Sequence, residues 1–373
     1  MTAHGLFNVT RKEFTDHLTS RRFLVILALF LVISTMGLYE GIKNYNQQLE
    51  SYAEQMQSLP SGDVVDRWMP EKPSILSIFF SLSSQIGSLG AILAIAMGFD
   101  LVSREKETRS LKSLLSHPVF RDEIINGKAF GGALALVFAM GAAFVIALAV
   151  LLVFSIVPGI NELGAILIFG IVSVVYLFSF FAVALLMSTI SNESGNALIY
   201  SLIIFFTLAM LMSTVGGTVA TIMVGDPPEP PESPYPIGRV MPLPIAEGNT
   251  KVEVAEGPVI TPEEQGEWKE YEEESRAYWE RRMVITDAFN LASPQMNYMT
   301  ISMAIVYPRM GIMSSVSSYS YGTTIDASGL SGDEVPGLFE VLGSLWKNIV
   351  ALFVFPAVFF AVAYVKFMRM DVR

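Results

Sequence analysis

Six apolar runs, each long enough to cross a hydrocarbon layer about 30 Å thick, constrain this chain more than any other feature. They fall at residues 22–39, 74–99, 128–154, 164–190, 196–224 and 346–364. Inside lipid every backbone N–H and C=O must be satisfied within its own segment, so runs of this kind fold as helices. The expected fold is therefore an all-α polytopic membrane protein with six transmembrane helices. Only 16% of the residues are charged, against about 25% in soluble globular chains.

The charges fall at or beyond the ends of these runs, and they divide by side. Segments 1–22, 100–128, 191–195 and 366–373 carry a net +4, whereas 40–73, 155–163 and 225–347 carry a net −15. An excess of Lys and Arg marks the cytoplasmic face. Both termini are thus expected inside, with a cytoplasmic entry helix over 1–21, a loop over 100–127 and a tail over 365–373. The outer parts are then 40–73 and 225–345. The overall charge of −11 belongs to the outer side, which would repel nucleic acid. No nucleic-acid partner is expected.

Several chemistries lack their residues. There is no cysteine, and the three histidines, His4, His17 and His117, are scattered with no HExxH, so no metal site is expected. No G-x-x-x-x-G-K-[ST] occurs, and Gly127-Lys128 lacks both the earlier glycine and the hydroxyl. The chain has no P-loop of its own, no GxSxG elbow and no Asp, Glu, Lys, Arg or His in the middle of a run, where ion-coupled carriers place one. Neither an enzyme nor a secondary carrier is expected. Ser20–Leu24 approaches a twin-arginine signal, but the spacer before Phe23 and an A-x-A-like site are missing. The first run is read as a retained span.

Residues 4–20 set Leu6, Phe7, Phe14 and Leu18 against Arg11, Lys12, Glu13 and Asp16, an amphipathic pattern that suits an interfacial helix. Beyond the first run, Ile42, Tyr45, Leu49, Tyr52, Met56 and Leu59 continue in steps of three and four. That seam extends the helix outward to Pro60-Ser61-Gly62, as one arm of a helical hairpin packing on the second outer segment or on another copy. Segment 225–345 is long enough for a small domain. It opens proline-rich, offers a short strand at 251–254, and continues as a charged helix over 262–284. A mixed α/β extracytoplasmic domain between helices five and six is expected. Trp268, Tyr271, Tyr278 and Trp279 line one side of that helix, as packing or membrane-surface contact, with a substrate platform as the alternative. Residues 314–331, rich in Ser, Gly and Tyr, read as a loop.

Within the runs, small residues recur every fourth position. Gly127, Gly131, Ala135, Ala139, Ala143 and Ala147 form such a row, and Gly131, Ala135, Ala139 and Ala143 are the expected helix-packing face. Gly90, Ala94 and Gly98 repeat the rhythm in the second run. Its first half carries Ser77, Ser81, Ser84 and Ser88 with Gln85 beside them. These hydroxyls either bond across a helix pair or line a pathway or dimer seam.

The stretch SREKETRSLKSLLSHPVFRDEIINGK, residues 103–128, holds six of the 24 Lys and Arg residues. It reads as two short helices broken at His117-Pro118, because proline cannot continue a helix and restrains the residue before it. Glu105 and Arg109 stand i,i+4, and Asp122 and Glu123 suit the start of the second helix. This stretch resembles the loop signature "R-E-K-E … L-L-S-x-P-V-x-R-x-E-I-x-x-G-K" of the ABC-2 type permeases, close to the NosY-like group. The basic entry helix and six spans with a large insertion before the last are similar too. The resemblance covers nearly all of the membrane part and not the outer segment. It implies two six-span permease units seated on two cytosolic ATPase subunits, with ATP and Mg on the partner and no cofactor in this chain. By position it assigns ATPase coupling to Arg104, Glu105, Lys106, Glu107, Pro118, Arg121, Glu123, Gly127 and Lys128. Thr108-Arg109-Ser110 stands where the family has Gly-Thr. The expected role is a permease subunit of an ATP-driven exporter in the plasma membrane, working as a homodimer. The alternative is a non-transporting subunit that passes ATP-driven motion to an extracytoplasmic partner.

Overall fold

The computed structural model describes residues 3–58, 72–109, 120–231, 262–308 and 337–370. Six helical runs in it are long and apolar enough to cross a membrane. The entry helix α1 (Ala3–Thr19) turns at Ser20 into α2 (Arg21–Ser58), which runs unbroken for 38 residues. The first span and the seam beyond it are thus one helix, as the apolar spacing predicts. Ile42 is buried, Tyr45, Leu49 and Tyr52 are half-buried, and Met56 is exposed. The expected stop at 60–62 lies outside the described residues.

The second span opens on a short 3-10 turn capped by Ser74, whose hydroxyl accepts from the Leu76 amide at 3.2 Å. It continues as α3 (Ile78–Gln85), a π turn (Ile86–Gly90) and α4 (Ala91–Gly98). After a bend, α5 (Ser103–Glu107) begins the loop. The third span, α6 (Arg121–Val153), starts seven residues earlier than its apolar run. Phe120 is extended, Asp122 and Glu123 occupy the first turn, and Glu123 Oε2 accepts from the Phe120 amide at 3.3 Å, so the polar end is itself a capped helix start. The fourth span is α7 (Ile160–Ile190). The fifth is α8 (Ser194–Phe206), a π turn (Thr207–Leu211) and α9 (Met212–Val224).

The second and fourth spans form the centre, with 67% of their most apolar windows buried, while the fifth and sixth have 11% buried. Small residues let the central pair touch: a Cβ at Gly98 would lie 2.7 Å from Ala184 Cβ and 2.8 Å from the Phe181 carbonyl. Ala135, Ala139 and Ala143 are buried.

The segment between the fifth and sixth spans differs from expectation. Its described part is helical, and no strand occurs among the described residues; residues 251–254 and 314–331 lie outside them. The charged helix α10 (Pro262–Leu291) runs beyond residue 284 and lies along the fifth span. The Tyr278 hydroxyl donates to the Gly225 carbonyl at 3.2 Å, and a Cβ at Gly216 would meet Phe289 at 2.7 Å. After a turn at Ala292, α11 (Pro294–Val306), capped by Ser293, returns through the bundle with most of its side chains buried. Tyr307, just past it, lies 6.1 Å from Phe80, near the start of the second span. Helices α10 and α11 thus form a hairpin whose tip reaches the level of Leu208, midway along the fifth span. Part of the segment read as an outer domain is built into the bundle, and it brings Asp287 alongside the fifth span. The short α12 (Leu338–Ser344) leads into α13 (Trp346–Met368), the sixth span, which contains Pro356.

Candidate coupling site

Helix α1, α5, the start of α6 and the end of α13 meet at one end of the bundle. Helix α1 runs beside the first turns of α6 in the same direction and in register. A Cβ at Gly5 would overlap the Glu123 carboxylate, one at Gly127 would lie 2.6 Å from Val9 Cγ1, and one at Gly131 would lie 2.6 Å from Glu13 Cβ. Gly127 and Gly131, part of the small-residue row, both seat the entry helix.

At this contact Lys128 is 3% exposed. Its Nζ lies 2.8 Å from Glu13 Oε1 and 2.7 Å from Glu105 Oε1, so one ammonium ties α1 and α5 to α6. An ammonium this far from water needs such partners. Glu13, which the sequence pattern leaves among ordinary polar residues of an amphipathic helix, is a full member of the site.

The remaining residues of the REKE stretch reach other spans. Lys106 Nζ donates to the carbonyls of Thr189 (2.5 Å) and Ser191 (3.0 Å), which closes the end of α7. Glu107 Oε2 accepts from Ser194 Oγ (3.0 Å) and its amide (3.3 Å) at the start of α8. The amides of Val102 and Ser103 both donate to Ser188 Oγ at 2.9 Å. Arg121 Nη1 donates to the Met370 carbonyl at 2.8 Å, just past the sixth span. A cation at the carbonyl end of a helix and an anion at the amide end are the favoured placements. Arg104 and Arg109 face solvent, as does Phe120 at 64% exposure. Glu123 is buried, with Oε1 unpartnered. Pro118 lies outside the described residues.

A polar cavity of about 570 Å³ opens between α1 and the α4–α5 bend, lined among others by Glu13, Asp16, His17, Asp100, Arg104 and Lys128. Burial pulls the His17 imidazole below its ordinary value, against the carboxylates of Glu13 and Asp100, which push it up. Arg22 approaches Asp100 at 3.7 Å. Among the described residues no group of three or more His, Cys, Asp or Glu could hold a metal ion.

Residues 7–372 match the family described as ABC-2 family transporter protein. The chain belongs to that family. No curated protein matches its sequence. Membership makes this ABC-2 protein the permease component of an ABC transporter, a multi-pass protein of the plasma membrane with six apolar helices. Its loop residues are not dispersed on a solvated surface. Glu105, Lys106, Glu107, Arg121 and Lys128 gather on the ends of four spans, and Arg104 is exposed at the cavity beside Asp100. The serine row of the second span lies apart from this site. Ser77 is buried, Ser81 and Gln85 are half-buried, and Ser84 and Ser88 are exposed on the bundle surface. Ser88 Oγ bonds back to the Ser84 carbonyl at 3.0 Å rather than across a helix pair.

Proposed function

We propose that this permease is driven by a separate cytosolic ATPase seated on the elbow of residues 103–128, and that two copies work together to move a substrate outward. The observation that carries this reading is the fan of bonds from the elbow: Glu105 to the third span, Lys106 to the fourth, Glu107 to the fifth and Arg121 to the sixth. A force applied at the elbow enters all four spans at once, as a unit that must switch between two packings requires. The exposed Arg104, Arg109 and Phe120 offer the partner charge and an aromatic anchor. ATP and Mg belong to that partner. The net +4 on the loops of this end and −15 on the other set supports placing the elbow and both termini in the cytosol.

A second reading gains support from the hairpin. Because α10 lies along the fifth span and α11 is buried in the bundle, motion of the spans reaches the acidic segment beyond the hairpin, as a mechanotransmission subunit acting on an extracytoplasmic partner would need. Purification in mild detergent tests the shared premise: an ATPase should co-purify, and Arg104→Glu should release it. Absence of any ATPase sinks both readings. Reconstitution divides them, since ATP-dependent flux into or out of liposomes means export, and turnover without flux means transmission.

A further inference from the structure

Among the described residues there are two π turns, and the hairpin tip engages both. A π turn adds one residue to a helical turn and leaves a main-chain carbonyl without its usual helical amide. In the turn Ile86–Gly90 the carbonyl of the second residue, Gly87, accepts from the Tyr176 hydroxyl at 2.5 Å. In the turn Thr207–Leu211 the second residue is Leu208, whose carbonyl accepts from Ser293 Oγ at 2.5 Å. The two spans are widened at matching points, and both carbonyls are served by the hairpin or by a group touching it.

Tyr176 carries the other half of the argument. Its hydroxyl faces two acceptors, the Gly87 carbonyl and Gln295 Oε1 on the hairpin. One phenolic proton serves one acceptor at a time. The ring is fully buried and stacked on Tyr298 at 4.4 Å and 19°, and Tyr298 in turn meets Ser173 Oγ at 3.2 Å. Away from water, a carbonyl that loses its partner must find another. If the hairpin withdraws, the Leu208 carbonyl loses Ser293 and the π turn of the fifth span satisfies it by reverting to α-helical bonding, whereas Tyr176, on the fourth span, keeps the Gly87 carbonyl and loses only Gln295. The rest of the fifth span then re-registers by one residue, a rotation of about 100° and a rise of about 1.5 Å, and the second span follows only where Tyr176 also leaves Gly87.

We propose that Tyr176, Gln295 and Ser293 are positioning residues of the transport cycle, latching the α10–α11 hairpin to the two π turns and setting the register of the second and fifth spans. The motive force rests on the ATP-driven permease reading; the latch does not.

The natural chain has no cysteine, so a single one placed at Ala292, exposed on the hairpin tip, carries a spin label alone. In lipid nanodiscs, with the associated ATPase, its collision rates with a nickel chelate and with oxygen are read without nucleotide and with ATP plus vanadate. Trapping should shift the label toward a new environment. Tyr176→Phe, which keeps the ring stack, and Ser293→Ala should each raise the shifted population about three- to tenfold before nucleotide is added, the effect of losing one buried inter-helix hydrogen bond. Gly87→Ala puts a Cβ 2.9 Å from Gln295 Nε2 and should open the same latch by crowding; it replaces either variant that fails gel filtration. A label that stays in place in these variants overturns the latch. A label that moves in the variants yet ignores nucleotide in the natural chain leaves the latch standing and removes the ATP-driven reading.

Discussion

Lys128 is the residue on which the candidate site turns. Its ammonium is 3% exposed and shared between Glu13 and Glu105. Lys128→Met removes the cation that the buried Glu13 shares with Glu105, so it should cost about 3–5 kcal/mol and lower the melting temperature in detergent sharply. Glu13→Gln leaves the Lys128–Glu105 pair intact and should cost far less, and equal losses in the two variants would argue against a shared charge. His17 gives a second test, through pH. Burial holds its folded value below the ordinary 6.5, so the unfolded chain takes up a proton where the folded chain remains neutral. That contribution to stability is therefore complete above about pH 6.5 and declines as pH falls through the folded value. Melting curves between pH 7.5 and 5 should show the decline, and His17→Gln should flatten part of it. The lysine and Glu105 are visible in the sequence as members of a loop motif. Glu13 is not, since 115 residues separate it from Lys128 and its local pattern is that of any polar helix face.

Among the elements, the small-residue row of the third span had a legible purpose and an unexpected tenant. Spacing by four marks a close helix contact, but it does not say which helix arrives, and at Gly127 and Gly131 the visitor is α1. Gly131→Val should lift the entry helix at a cost of about 1–3 kcal/mol. Tryptic cleavage at Arg11 and Lys12 should accelerate in that variant, while Gly141→Val, at a position with open space around it, should leave cleavage unchanged. The six spans were readable because each is a long apolar stretch. Helix α11 was not, because its 13 residues are too few to cross a bilayer and carry serine, asparagine, glutamine and tyrosine. Short apolar stretches of this length suit buried or re-entrant helices, yet the acidic and proline-rich sequence around it disguises the whole segment as exterior.

The molecule as a whole is lopsided in burial. The second and fourth spans are enclosed, whereas the fifth and sixth present most of their apolar surface outward. Exposed Ser84 and Ser88 interrupt that surface on the second span, and hydroxyls facing lipid gain less than hydroxyls facing a partner. If a second copy covers them, Ser84→Cys in this cysteine-free chain should form an intermolecular disulfide under mild oxidation. Leu167→Cys, on the exposed side of the fourth span, should not. Monomers from both would remove the serine row from the dimer contact. Sidedness is tested separately: Arg109→Cys should react with impermeant maleimide only after the membrane is opened. Charge partition gives sidedness as an expectation that this labelling tests, and no composition rule reports which faces of a bundle remain uncovered.

The unbroken α2 gives the chain an uncommon mechanical property. Its 38 residues make a stiff rod about 57 Å long, of which a bilayer core about 30 Å thick accounts for little more than half. A tilt of about 10° at the foot, where the rod joins α1, sweeps the far end through about 10 Å. Small displacements beside the entry helix are thereby magnified into movements wide enough to part or clasp whatever stands at the opposite surface.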